Sequence, residues 1–274
     1  MPNAALNALP NGTNAARRPR PVAETARAAA VECNGVVKRF YLYEHRTTTL
    51  QEFALRTILR RPIASRSASF QIKRLDLCVA RGESIALVGA NGSGKSTALR
   101  LIAGIYPPSE GRIVVRGQLV AVLELGATFQ PELTGAENVE LYASALGFSR
   151  RQIAERYPGI VAFAEIGDFM HVPVKYYSSG MRTRLAFAVA ICADPDILLL
   201  DEVLAVGDES FRERCLARLA GYHAAGGTLI VVSHDLSTIR RICSRVLWLE
   251  HGEVRMTGET NAVLDAYEAA ARAG

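Results

Sequence analysis

Residues Glu83 to Leu99, ESIALVGANGSGKSTAL, pass from a short apolar stretch through a glycine-rich turn into a helix start, and their reading decides the fold. Gly89, Ala90, Asn91, Gly92, Ser93, Gly94, Lys95 and Ser96 satisfy G-x-x-x-x-G-K-[ST] in full, in the strand, loop and helix setting that the pattern requires. Each residue type answers a need of phosphate binding. Glycines let the backbone wrap closely around an anion, and successive N–H groups at a helix start form a positively polarised nest. Lys95 brings a compact positive charge to the outer phosphates, Ser96 a hydroxyl suited to Mg²⁺, and Thr97 a hydroxyl placed for the α phosphate.

Two further apolar runs end in polar groups. ILLLDE, Ile197 to Glu202, reads as a buried parallel strand whose carboxyl end opens on the site, where ligands lie in such sheets. Asp201 is expected to support Mg²⁺ through its water shell. Glu202, expected to point the other way because strand side chains alternate, would polarise the attacking water as general base. TLIVVSHD, Thr228 to Asp235, repeats the pattern, with His234 at its tip expected to contact the γ phosphate and hold Glu202 and the water in register. A fourth stretch, YSSGMRTRLAFAVA from Tyr177 to Ala190, sets Ser178, Ser179 and Gly180 before a helix with no acid, metal ligand or nucleophile pair beside them. Locally that start is a helix cap; its unpaired N–H groups also suit an anion.

Composition sets the frame. At 274 residues and 49% hydrophobic, the chain suffices for one sizeable core, or one core with a lobe attached. The longest apolar run, Leu185 to Ala193, is too short to cross a bilayer, so any membrane role is expected to come through a partner. Met1 to Ala30 is rich in Ala, Asn, Pro and Arg and reads as a flexible tail without the order of a secretory signal, which predicts a cytosolic chain. Five scattered cysteines, with no C-x-x-C pair, indicate neither a disulfide framework nor a zinc site and are expected to be packing residues. The net charge of +5 is uneven: up to Arg81 there are 14 Lys+Arg against 5 Asp+Glu, and beyond it 18 against 22. A basic first third is compatible with nucleic acid, an anionic membrane surface or a plain solvated face.

In this order, the phosphate cradle (GANGSGKST), the signature (YSSGM), the acidic strand (ILLLDE), the D-loop (AVGD, Asp208) and the switch histidine (SHD) resemble the ATP-binding subunits of ABC transporters from about Val31 onward. The resemblance implies a homodimer that sandwiches ATP, the cradle of one copy facing the Ser178, Ser179 and Gly180 tip of the other, with Ser179 and Gly180 the best matches to the signature. It also implies an adenine-stacking aromatic, best matched by Phe40 in VVKRFYLYEH, and a Q-loop residue that senses Mg²⁺ and the membrane partner. Gln130 fits that residue by type and Glu124 by spacing. YSSGM, DEVLAVGDESF and LELGATFQPELTGAENV look like the subgroup that exports capsule, O-antigen or teichoic acid carriers. TLQEFALRTILRR, Thr49 to Arg61, is similar to the amphipathic helix that these exporters hold near the membrane.

The expected architecture is α/β: a mainly parallel P-loop ATPase sheet, an antiparallel portion at the N-terminal side, and an inserted helical lobe from about residue 131 to 190. The ATPase domain is expected over 31–260, with a C-terminal helix over 261–274 and no separate glycan-reading domain. The expected activity is ATP hydrolysis with Mg²⁺ at the cytoplasmic face of the inner membrane, driving a polysaccharide through a separate integral-membrane permease subunit. The alternative is a soluble ATPase of the same superfamily acting on nucleic acid; on the export reading no nucleic-acid partner is expected.

Overall fold

The computed structural model describes residues 28–44, 65–123, 129–202 and 208–273. The tail up to residue 27, the amphipathic stretch Thr49 to Arg61 and Glu124 lie outside the described residues. The elements are β1 (Ala29–Glu44), β2 (Ser65–Ala80), β3 (Ser84–Val88), α1 (Lys95–Ile102), β4 (Glu110–Val115), β5 (Leu119–Val122), α2 (Gly135–Ala145), α3 (Arg150–Ala164) and α4 (Ser179–Cys192). They continue with β6 (Ile197–Asp201), α5 (Glu209–Ala224), β7 (Thr228–Val232), α6 (Leu236–Ile242), β8 (Arg245–Glu250), β9 (Glu253–Glu259) and α7 (Thr260–Ala273). The tail expected to reach Ala30 stops earlier, because Ala29 and Ala30 already belong to β1, where Ala30 is buried against the core.

The described strands form a nine-stranded sheet in the order β4-β1-β2-β9-β8-β3-β7-β6-β5. The segment β8-β3-β7-β6-β5 is parallel, with Leu87 opposite Val232 and Leu200 opposite Val231. The β4-β1-β2 segment is antiparallel, as expected, and the C-terminal hairpin β8-β9 adds a second antiparallel pairing not read from the sequence.

Strand periodicity sorts the central residues into two cores. One alternating set, Ile85, Leu87, Ile197, Leu199, Ile230 and Val232, packs with Leu99 and Ile102 of α1 and with β1 and β2. The other set, Ala86, Val88, Leu198, Leu200, Leu229 and Val231, packs with Phe187 and Ile191 of α4, with α5 and with α7. Every residue of β3 and β7 is buried, so a slip of one position would exchange the two side-chain sets between faces.

The lobe, α2 to α4, has a core of its own that includes Val139, Phe148, Ile160, Met170 and Leu185. Its helices start at designed stops: Thr134 caps α2 with a return bond from Glu137, Ser149 caps α3 with Gln152, and Ser178 caps α4 by accepting from the Met181 N–H. α4 joins the two bodies, since Leu185, Ala188 and Val189 face the lobe while Phe187, Ala190 and Ile191 face the sheet. A helix buried on both sides needs no polar face, and this accounts for the apolar run that the sequence shows there.

Gly227 precedes β7 beneath the ring of Tyr222, whose hydroxyl donates to the Thr228 carbonyl at 3.1 Å, and a Cβ at Gly227 would collide with that ring. Tyr222 is itself buried in the sheet core. Gly227→Ala is therefore expected to destabilise the fold by about 1–3 kcal/mol through overpacking, read as a lower midpoint in urea.

Candidate functional site

The parallel sheet brings three strand ends together. β3 runs into the glycine loop, β7 beside it ends at Val232 and leads into Ser233 and His234, and β6 next to β7 ends at Asp201. The Glu202 N–H donates to the Val232 carbonyl at 2.9 Å, which ties the last two ends to each other.

Asn91, Gly92, Gly94, Lys95, Ser96, Thr97 and Glu202 line a cavity of about 160 Å³. The loop needs its glycines. Gly89 stands at φ 150°, and a Cβ there would strike the Leu249 carbonyl and Ser93 Oγ, while Gly94 takes φ 112° as the N-cap of α1. No side chain caps α1 and its first turn carries no acid, so its leading N–H groups point into the cradle without a side-chain acceptor. Lys95 is buried, 6% exposed, with its ammonium on the carbonyls of Gly89 (2.8 Å) and Ala90 (3.1 Å). Burial holds it below the ordinary lysine range, opposed by the charges of Glu202 and Asp201.

Asp201 lies on the face of β6 that carries Ile197 and Leu199, the side of α1, and hydrogen-bonds the Ser96 hydroxyl; burial nevertheless raises its carboxyl above the usual range. Its Oδ1 is buried with no hydrogen-bond partner among the described residues. A hydroxyl and a carboxylate side by side, with one carboxylate oxygen unsatisfied, form an oxygen donor set that fits Mg²⁺. Glu202 departs from the expectation of simple alternation: β6 stops at Asp201, and Glu202 takes a left-handed backbone, φ 54°, beyond the strand. That turn carries its carboxylate to the cradle as well, with Oε1 2.9 Å from His234 Nε2.

The turn after His234 is clamped. The Asp235 N–H donates to Ser233 Oγ, and the Asp235 carboxylate accepts from the Ser237 and Thr238 N–H groups, from both their hydroxyls and from Arg212. These hydroxyl and N–H donors, with Arg212, pull its carboxyl down to about 2.

The signature residues stand elsewhere in the chain. Ser178 and Gly180, with Glu165, Asp168, Phe169, Met181, Arg184 and Asp208, line a separate cavity of about 670 Å³. Ser178 and Ser179 are exposed. Among the described residues a Cβ added to Gly180 would meet only Ser178 Oγ, at 3.8 Å, so none of them requires a glycine there. Asp208 N-caps α5 and pairs with Arg184 of α4.

Two assignments fall outside the cradle. Phe40 on β1 packs edge-on against Tyr106 at 5.4 Å, with the Lys38 ammonium over both rings, and does not line the cradle cavity. Gln130 is held through its main chain by Asn138, which accepts its N–H at 2.7 Å and donates to its carbonyl at 3.0 Å, ahead of α2 and outside the cavity lining. Burial pushes Cys33, Cys215 and Cys243 up to about 12 and Cys192 up to about 11, which suits packing, whereas Cys78 is exposed on β2. Arg184, Arg212 and Asp235 were not singled out in the sequence. The one available signal was helical spacing: Arg184 follows Gly180 by four residues.

The family description "ABC transporter" matches residues 72–205. The chain is 38% identical over 240 residues to an O-antigen export system ATP-binding protein RfbB of Klebsiella pneumoniae, covering 88% of this chain and 98% of that one. It is 36% identical over 234 residues to a teichoic acids export ATP-binding protein TagH of Listeria innocua, covering 85% of this chain and 68% of that one. In shape it matches an ATP-binding subunit of an ABC transporter with a TM-score of 0.68 at 22% identity, covering 87% and 93% of the two chains. A dimeric bacterial ABC transporter cassette matches with a TM-score of 0.66 at 23% identity, covering 84% and 98%.

Two carboxylates give opposite stability predictions. Asp201 is raised, so its ionised form weakens the fold at neutral pH. Asp201→Asn is expected to raise the melting temperature of the nucleotide-free protein at pH 7, and to give no gain well below the ordinary aspartate range, where the carboxyl is protonated in both states. Asp235 is lowered, so its contribution is complete above about pH 4 and is lost as pH falls through about 2. Asp235→Asn is expected to melt earlier at pH 7, with a deficit that shrinks steadily in scans taken toward pH 2.

Proposed function

The chain belongs to the ATP-binding proteins of the ABC transporter family, and on that premise we propose that it is the ATP-hydrolysing subunit of an exporter that moves a polysaccharide or lipid-linked glycan outward through a separate membrane permease. The observation that carries the paired arrangement is the separation of the two phosphate-directed surfaces. Within one chain the Lys95 cradle and the Ser178 to Gly180 tip line different cavities, and no described residue of the same chain stands where a side chain at Gly180 would reach. A second copy, facing the first, sets each tip over the other's cradle.

In this reading the α1 N–H groups and Lys95 receive the β and γ phosphates, with Thr97 on the α phosphate. Ser96 and Asp201 would hold Mg²⁺, which when bound would offset the charge of the phosphates. Glu202 takes the proton of the water that attacks the γ phosphorus as the bond to the β–γ bridging oxygen breaks and ADP leaves, and His234, on the Glu202 carboxylate, keeps that base aimed. Without ligand the Lys95 ammonium rests on the loop's own carbonyls, those of Gly89 and Ala90, until phosphate replaces them. ATP stabilises only the closed pair, so its hydrolysis removes the bridging group and lets the copies separate, which is how a chemical step becomes a movement passed to the permease.

No described helix is long and apolar enough to cross a membrane, which agrees with attachment through a partner at the cytoplasmic face. The relatives' names support export of a surface glycan over the nucleic-acid alternative. Phe40 is the proposed adenine platform, which would require the ring to turn from Tyr106 to the base.

Glu202→Gln is expected to lower ATP turnover by at least about 100-fold while ATP binding persists, and to accumulate an ATP-dependent dimer on size exclusion with light scattering. Normal turnover in that variant overturns the assigned base.

A further inference from the structure

The ion pairs around α5 form a continuous mechanical connection that the phosphate chemistry does not use. Arg184 lies one helical turn beyond Gly180 on α4, on the side of the signature cavity, and its guanidinium binds the Asp208 carboxylate and covers the Phe211 ring at 5.0 Å. Arg214 covers the same ring at 5.5 Å and binds Glu165, the left-handed residue that ends α3. Asp208 is the N-cap of α5, its other oxygen accepting from the Phe211 N–H at 2.8 Å. One turn further, about 6 Å along the axis, Arg212 leaves the same helix and binds Asp235 and, at 3.1 Å, Thr238 Oγ1. Asp235 directly follows His234, and His234 meets Glu202 at 2.9 Å.

The connection runs through charge-assisted bonds, one turn of hydrogen-bonded helix and the single peptide link between Asp235 and His234; each bond is weak alone, but together they fix the angles between the parts. The first turn of α5 is also seated in the core by Phe211, 1% exposed between Phe163 and Phe187, which lets it rotate or shift only as a unit.

We propose that the first turn of α5 is a strut, pinned by Arg184–Asp208 at the signature helix and by Arg212–Asp235 at the switch turn, that sets the aim of His234 on Glu202 according to whether the signature tip is engaged by the mate's nucleotide. Arg184 and Arg212 are thus positioning residues. The strut rests on the sandwich reading above, in which Ser179 and Gly180 meet a phosphate held by the other copy. Its consequence is that each hydrolytic pair responds to the occupancy of the opposite site, a response that the chain's own cradle cannot provide.

The test is a double-mutant cycle in the full-length protein, with Arg184→Met, Arg212→Met and the double variant compared for kcat, KM and melting temperature. Each single change is expected to lower kcat about 10-fold with KM little altered, and the double variant to be no slower than the worse single one, because both cut the same connection. Lys in place of either Arg is expected to restore most of kcat. An unchanged kcat in Arg212→Met overturns the strut, as does a multiplicative loss of about 100-fold in the double variant, or a loss that follows the melting temperature and is not rescued by Lys. The underlying sandwich is read separately from dimer formation by Glu202→Gln with ATP. If that variant remains a monomer, the sandwich and the strut fall together; if it dimerises while the losses multiply, the strut alone falls.

Discussion

The hydrogen bond from the Glu202 N–H to the Val232 carbonyl is small, but the site depends on what makes it possible: three adjacent parallel strands whose register cannot slip. β3 and β7 are buried at every residue, and their alternate positions feed two different cores. A shift by one residue would put Leu198, Leu200 and Val231 among the partners of Leu199 and Ile230, and it would turn Asp201 away from Ser96. Packing on both faces therefore sets where the carboxyl ends lie, and the polar residues beyond them inherit that position.

The polar groups of the site are strained relative to a chain that bound nothing. Among the described residues, Asp201 keeps a buried oxygen without a partner, Ser93 Oγ is likewise unsatisfied, and Lys95 is buried with main-chain carbonyls for its ammonium. Each feature disfavours the empty state and favours one in which phosphate and a divalent cation satisfy the same atoms, so part of the binding preference is built into the fold before a ligand arrives. The signature tip differs in kind. It is exposed, capped by its own Ser178, and free of internal demands, as suits a surface that meets something held by another molecule.

The lobe and the sheet are joined through α4, buried on both sides, and through ion pairs at its polar end. Hydrophobic packing alone would hold the two bodies together without specifying their orientation. Arg184, with Asp208 and Glu165 as partners at a partly exposed edge, adds a directional contact in a region where solvent still screens charge. Contacts of this kind are weak individually, and their value lies in fixing angles.

The phosphate loop, the acidic strand and the polar end of the next strand at His234 were legible in the sequence, because each consists of consecutive residues whose chemistry is local: glycines where a backbone must bend, and apolar runs ending in polar groups; Ser178 to Gly180 read locally only as a helix cap, and their signature role came from the family resemblance. The parallel sheet, the antiparallel N-terminal strands and the inserted lobe followed from the same patterns. What the sequence could not convey were relations between distant residues. That β7 lies between β3 and β6, that Glu202 reaches the cradle by a left-handed turn in place of strand alternation, that Phe40 packs on Tyr106, and that Arg212 clamps Asp235 all depend on which surfaces the cores bring together. Short-range chemistry is written in adjacent letters; the meeting of an arginine on one helix with a carboxylate on another is decided only when both helices bury their apolar faces against the same sheet.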